Sequence, residues 1–287
     1  MRVNEGCAKC LYDKQVHMTD NENYLSEVRE ILRNRKEDDS APYMVYLFDK
    51  SYEKYFGRHA SYEKVKKEYN DFILCMEADL RIKIEKSDNP FLTAFLYSRL
   101  GNYIDFGTMN NVDKKEFLSF FDELSPSQND LRIMDSFIEQ CDKGNKFLLV
   151  ADNCGEILLD KLFIEQLIKR FPHLDVKVMV RGEEVLNDAT ENDAKYVGMD
   201  SVAEIISNGT SIAGTIYKQL PETARTEIDE ADVILAKGQG NYETMSGEGR
   251  HIYYSFLCKC DMFVERFKVP RFTGMFIEEN EGELAYD

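Results

Sequence analysis

The stretch from Phe147 to Leu159, FLLVADNCGEILL, does most to limit what this chain can become. Phe147, Leu148, Leu149 and Val150 run without apolar–polar alternation, as a strand covered on both faces of a parallel sheet does. Asp152, Asn153, Gly155 and Glu156 follow around Cys154. Then Leu159, Leu162, Phe163 and Leu167 recur at helical spacing, opposite Lys161, Glu165 and Lys169. The pattern is strand, polar turn, helix. In an open α/β sheet ligands bind beyond the carboxyl ends of the strands. This turn delivers a carboxylate and an amide oxygen there, beside a helix N-terminus that attracts anions. Asp and Asn are hard oxygen donors of the kind magnesium and manganese prefer. Asp or Asn ahead of a helix is also a routine N-cap, and in isolation the turn reads most simply as one.

The rest of the chain divides around this stretch. Residues 1–140 read as a helical N-terminal domain, with candidate helices over 21–35, 44–56, 62–84, 91–100, 113–121 and 131–140. Pro90 suits a first helical turn and Gly101 a helix end. Residues 141–287 read as an α/β domain, because strand and helix patterns alternate as they do around a mostly parallel sheet. Further strands are expected at Val176–Val180, Val202–Ile206 and Val233–Ala236, with Ile252–Cys258 and Met262–Val264 at the sheet edge. The acidic end, EENEGELAYD, is expected to fray.

Charge and cysteine usage narrow the partners. A net charge of −17 over 287 residues excludes the basic surface that non-specific nucleic-acid binding needs. No segment has the apolar length to span a bilayer, and MRVNEGCAKC has no apolar signal-peptide core, so a soluble cytoplasmic protein without a membrane partner is expected. Seven scattered cysteines are not a secreted disulfide framework. Cys7/Cys10 and Cys258/Cys260 are read either as ordinary thiol pairs or, together, as a peripheral metal or redox site. Oligomeric state is not written in the sequence.

Three strand ends carry chemistry: Asp152 and Asn153 after the first, Arg181 with Asp188 soon after on the second, and Lys237 on a later one. Lys237-Gly238-Gln239-Gly240 resembles a phosphate cradle in kind, with glycines that let backbone approach an anion and a lysine that supplies charge. The Walker spacing, the dinucleotide Gly-x-Gly-x-x-Gly, a serine nucleophile elbow and HExxH are all absent. The loop Ser207–Ser211 reads as an anion loop or simply as a polar loop.

Taken in order, Asp152-Asn-x-Gly-Glu156, Arg181-Gly-x-x-Val-Leu-Asn-Asp188-Ala-Thr, Ser207-Asn-Gly-x-x-x-x-Gly214-Thr215 and Lys237-Gly-Gln-Gly-Asn241-Tyr-Glu243 resemble the damage-control phosphatases. That family was formerly catalogued as domain of unknown function 89. Gly101-Asn102-Tyr-Ile-Asp105-Phe and the N-terminal CxxC extend the likeness from Cys7 to about Val269, closest to the stand-alone microbial branch with paired cysteines. The resemblance implies a three-layer α/β/α, Rossmann-like, mostly parallel sheet with a helical N-terminal part. It also implies a metal-dependent phosphatase acting on small phosphorylated metabolites. Its metal ligands fall on Asp152, Asn153 and Asp188, for magnesium, manganese, cobalt or nickel. Its phosphate-contacting lysine falls on Lys237, which joins Asp152 and Asp188 as catalytic. Asn102, Asp105, Glu156, Arg181, Lys237 and Asn241 are carried as substrate-binding. Cys154 stands where alanine is usual and removes no ligand. Water on the metal and a carboxylate, Asp152 or Asp188, are both open as nucleophile. Two other readings stand beside this one. The first is carboxyl methyl transfer, which would want more glycine than Gly155 after the first strand. The second is a non-catalytic metal- or sugar-phosphate-binding protein.

Overall fold

The computed structural model of the chain describes residues 2–103, 114–280 and 283–284. The helices before the sheet are α1 (Glu5–Met18), α2 (Glu22–Arg33), α3 (Ala41–Phe56), α4 (Glu63–Leu74), α5 (Glu77–Lys86), α6 (Pro90–Gly101), α7 (Lys114–Asp122) and α8 (Gln128–Lys143). Their starts follow the capping rules: Asn4, Asn21, Asn89 and Ser127 accept backbone N–H groups of the first turn, and Pro90 opens α6. The expected single helix over 62–84 is two helices, α4 and α5. Ile73, Met76 and Leu80 keep one buried face across the break, so the periodicity conceals it.

Then follow β1 (Lys146–Val150), α9 (Glu156–Arg170), β2 (Asp175–Val180), α10 (Glu191–Tyr196), β3 (Glu204–Ser207), α11 (Glu222–Glu230), β4 (Val233–Lys237), α12 (Gln239–Met245), β5 (Ile252–Leu257), α13 (Asp261–Phe267), β6 (Gly274–Asn280) and β7 (Glu283–Leu284). The strand order is β3-β2-β1-β4-β5-β6-β7, with β1 to β5 parallel and β6 and β7 antiparallel. Two expectations are corrected. Met262–Val264 lies in α13, not in an edge strand: three apolar residues cannot distinguish a strand from a helix turn. Residues 252–257 form an interior strand between β4 and β6, and Glu278 and Glu279 of the expected frayed end are buried in β6.

The sheet is covered on both sides. Phe147 and Leu149 face a core built with α5, α6, α8 and α9, while Leu148 and Val150 face one built with α11, α12 and α13. Consecutive residues of one strand thus enter different cores, which is why β1 has no alternation to read. A smaller cluster joins α1, α2 and α3 through Tyr24, Val28, Met44 and Phe48. The helical segment is therefore split: its first part has its own core, and α5, α6 and α8 form one layer of the sheet. α8 also runs across the expected boundary at 140/141.

Candidate active site

The chain steps outward from β1 to β2 and β3, then returns to the other side of β1 as β4. The carboxyl ends of β1 and β4 therefore flank the point where strand order reverses, the usual place for a ligand crevice. Ala151 and Asp152 leave β1, and Lys237 ends β4. The loop after β2 folds back on this turn. Asn153 and Asp188 form an isolated antiparallel bridge, Ala189 N donates to Asp152 O at 2.7 Å, and Cys154 N donates to Asn187 O at 2.8 Å. Leu186 enters this segment at φ 48, a left-handed conformation that branched side chains rarely adopt.

One hydrogen-bonded network joins the expected residues. Asp152 Oδ2 accepts from Asn102 Nδ2 at 2.8 Å and from Asn153 Nδ2 at 2.6 Å. Both amides also donate to Glu156 Oε2, each at 3.0 Å. Arg181 Nε donates to Asp188 Oδ2 at 2.6 Å, and its Nη1 reaches Thr215 Oγ1 and Asn241 Oδ1. Asn241 Nδ2 ties Ala151 O to Lys237 O, so one amide links the ends of β1 and β4. Asn102, Asp152, Asn153, Glu156, Arg181, Asp188, Lys237 and Asn241 are thus brought together; Asp105 lies outside the described residues.

Lys237 is not in a solvent-facing turn. Its ammonium has no exposed surface and donates to Asp160 Oδ1 at 2.6 Å, Glu156 Oε1 at 2.8 Å, and Ser98 Oγ and O at 2.8 and 3.1 Å. The expectation that Gly238 and Gly240 leave room for a phosphate is also corrected. A Cβ on Gly238 would lie 2.0 Å from Asp152 Oδ2, and one on Gly240 would lie 2.3 Å from Ala213 O, so those spaces hold the protein's own groups. Nor does the turn ahead of α9 offer free donors: Gly155 N donates to Asn70 Oδ1 at 2.6 Å, and Glu156 N to Cys154 O. The Ser207–Ser211 loop is structural, with Asn208 Oδ1 accepting from Gly182 N and Thr210 N.

Charge is out of balance here. Asp152, Glu156, Asp160 and Asp188 face Arg181 and Lys237, these six all at most 4% exposed except Asp152, while Lys259 acts on Asp152 and the Lys66–Asp193 pair adjoins Asp188, so carboxylates outnumber cations. Burial, then Asp188 and Glu156, hold the Asp152 carboxyl well above the usual range, and burial raises Asp188 against the pull of Arg181. Burial lifts Asp160 to about 6. Lys237 is raised: burial disfavours its charge, but Asp160 and Glu156 outweigh that. Arg181 Nη2, buried and 3.8 Å from Asp152 Oδ1, has no hydrogen-bond partner among the described residues, and Asn153 directs its Nδ2 to Asp152 and Glu156, which leaves its Oδ1 on the other side of the amide. A cavity of about 570 Å³ is lined by Lys66, Asn70, Gly182, Thr190, Asp193 and Tyr196; it touches the chain next to Arg181 and Asp188 but none of the six clustered side chains lines it.

Sequence reading missed Asp160, Ser98 and Asn70. Asp160 had a signal: it sits four residues after Glu156 on an otherwise apolar helix face, where two acids must share a buried partner. Ser98 and Asn70 had none. The cysteine pairs stand apart from the network. Cys7 is pushed up to about 12 by burial and by Glu243, Cys260 and Cys10, so α1 and the Cys258–Cys260 segment are neighbours. Among the described residues no group of three or more His, Cys, Asp or Glu side chains is arranged to hold a metal. That disfavours the four-thiolate site; the ligand set expected at β1 counts only two such side chains and an amide.

The family model for the damage-control phosphatase ARMT1-like domain matches residues 3–273. A damage-control phosphatase of Archaeoglobus fulgidus is 31% identical over 274 residues, covering 91% of this chain and 93% of that protein. A damage-control phosphatase of Pyrococcus horikoshii is 32% identical over 176 residues, covering 60% of this chain and 59% of that protein. The crystal structure of a DUF89 family protein from Pyrococcus horikoshii shares the fold, with a TM-score of 0.78 at 23% identity over 96% of this chain and 98% of that one.

Proposed function

The chain belongs to the damage-control phosphatase family, and on that premise we propose that it is a metal-dependent phosphomonoester hydrolase for small phosphorylated metabolites. Sugar phosphates, phosphopantetheine-like compounds and related damaged metabolites are the substrate classes in this reading. The observation that carries the metal is the charge balance: the buried carboxylates outnumber the cations that reach them, with almost no access to water. Uncompensated buried charge is costly, so such a site either keeps protons or takes a cation, and a divalent ion would relieve the excess. Asp152, Asn153 and Asp188 would hold magnesium, manganese, cobalt or nickel, and the Asn153 Oδ1, opposite the Nδ2 that Asp152 and Glu156 engage, suits a hard cation. When bound, the ion supplies charge neutralisation for a phosphoryl group.

The chain's own residues supply the rest. Arg181 is held rigidly by Asp188, Thr215 and Asn241, and its unpartnered Nη2 is a preorganised donor for a phosphoryl oxygen. Lys237 contributes a fixed positive charge beneath the turn while its ammonium stays with Glu156 and Asp160. Phosphate release from a panel of phosphate monoesters, measured with each of the four metals and with chelator, tests the reading. Metal-dependent release from at least one class supports it; full turnover in chelated protein refutes the metal, and no release from any ester refutes the hydrolase.

A further inference from the structure

The sequence assigns Glu156 to the substrate, yet its carboxylate has no exposed surface and its hydrogen bonds run to Asn102, Asn153 and Lys237. An ionised carboxylate only accepts hydrogen bonds. Lys237 donates to Oε1 at 2.8 Å, and Asn102 and Asn153 both donate to Oε2 at 3.0 Å. The Asn102 amide is fixed from elsewhere: its Oδ1 accepts from Leu257 N at 3.1 Å, so its NH2 must face Asp152 and Glu156. Asn153 has no such backbone anchor. Its orientation is set because both carboxylates beside its Nδ2, Asp152 Oδ2 at 2.6 Å and Glu156 Oε2 at 3.0 Å, demand a donor. The amide oxygen must then point the other way.

We propose that Glu156 is a positioning residue: it fixes the donor–acceptor sense of the Asn153 amide, so that Oδ1 rather than the NH2 is presented to the cation. This rests on the reading that Asp152, Asn153 and Asp188 hold a divalent ion. An NH2 in that place would repel the ion and supply no lone pair. Donor–acceptor sense passes from the backbone of β5 and from Lys237, through Asn102 and Glu156, to the ligand. Metal-ligating side chains are commonly oriented this way by a second hydrogen-bonded partner.

The test is calorimetric titration of Mn2+ into the chelator-stripped full chain, in four forms: wild type, Glu156→Gln, Asn153→Asp and the double variant. Glu156→Gln leaves Lys237 paired with Asp160, so a buried ion pair survives. The introduced amide keeps its oxygen on Lys237, so its NH2 faces those of Asn102 and Asn153. Asn102 is held by Leu257 N, so the clash falls on Asn153, which keeps only Asp152 Oδ2 to hold its sense, and Mn2+ affinity should fall by about tenfold or more. In Asn153→Asp the introduced carboxylate has two equivalent oxygens and needs no orienting, and the glutamine amide of the double variant can donate to it. In that background Glu156→Gln should change affinity by no more than about twofold, a coupling that a double-mutant cycle reads directly. An equal fall in both backgrounds would mean that Glu156 acts only through its charge and would overturn the proposal, as would unchanged affinity in Glu156→Gln. If Glu156→Gln does not fold, the comparison of Asn153→Asp with the double variant decides, and a fall of about tenfold there overturns the inference. Wild-type protein that takes up no Mn2+ removes the metal reading itself, and this inference with it.

Discussion

Glu156 and Asp160 share the single ammonium of Lys237 with no exposed surface among the three, so one carboxylate is in excess. Asp160 Oδ2 has no hydrogen-bond partner among the described residues, and burial makes Asp160 an acid that takes up a proton below about pH 6. Its folded value of about 6 lies above the ordinary 3.8, so between these two values the folded chain binds more protons than the unfolded one. Stability then falls as pH rises from about 4 to about 6, by up to ~3 kcal/mol from this group. Lys237→Met removes the shared cation and leaves two buried carboxylates unpaired, a loss of about 3–5 kcal/mol at neutral pH. The variant should lose more stability than wild type as pH rises above 6, and Asp160→Asn added to it should restore part of the loss. Urea unfolding at several pH values from 5 to 8 measures this. A wild-type-minus-variant difference that does not change with pH would show that the lysine is not compensating these acids. The sequence placed Lys237 correctly at a strand end; it could not show which groups meet the ammonium, because Ser98 and Asp160 come from two helices far away along the chain.

Between elements, the tight contact of α6 with α9 aligns Asn102 and Ser98 with Glu156 and Asp160. Gly101 makes it possible: a Cβ there would lie 2.9 Å from Leu159 Cδ1 and 3.1 Å from Glu156 Cα. Gly101→Ala should push the helices apart and draw Asn102 from Asp152, at a cost of about 1–3 kcal/mol. The urea midpoint checks it, and a midpoint at or above wild type would show that α6 yields freely. The sequence marked Gly101 as a helix end and could not mark it as a contact, since what it touches lies more than 50 residues on. The same limit explains the other differences. β1, α9, β2 and β4 were legible because length and apolar pattern agree over many residues. α13 was not, because Met262, Phe263 and Val264 are too few to carry a period. β6 was not, because Glu278 and Glu279 look solvated: Glu278 is matched inside by Ser136, His251 and Tyr253, and Glu279 accepts from Gly247 N, partners no local pattern announces.

Over the whole molecule, an acidic chain of net charge −17 concentrates part of that excess where the helical segment meets the sheet. That segment helps to build the site: Asn70 from α4 caps Gly155, Lys66 pairs with Asp193 at 2.6 Å, and Ser98 and Asn102 come from α6 and its end. A cation bound there should therefore stabilise the whole chain against unfolding, by about 2.7 kcal/mol when present at a hundredfold over its dissociation constant. Asp188→Asn isolates the contribution of one ligand. The amide oxygen still accepts from Arg181 Nε, which now bonds to Asp188 Oδ2 at 2.6 Å, while one buried negative charge disappears. In chelator at neutral pH the variant should be at least as stable as wild type, because the excess charge it lacks is a cost when no cation is present. With Mn2+ added, wild type should gain several degrees in melting temperature and the variant almost nothing. Paired melting curves with chelator and with Mn2+ give both quantities from the same samples. An equal metal-induced rise in the two proteins would remove Asp188 from the ligand set. A variant less stable than wild type in chelator by more than about 2 kcal/mol would mean that Asp188 serves chiefly as the ion-pair partner of Arg181, and that the cation must be held without it.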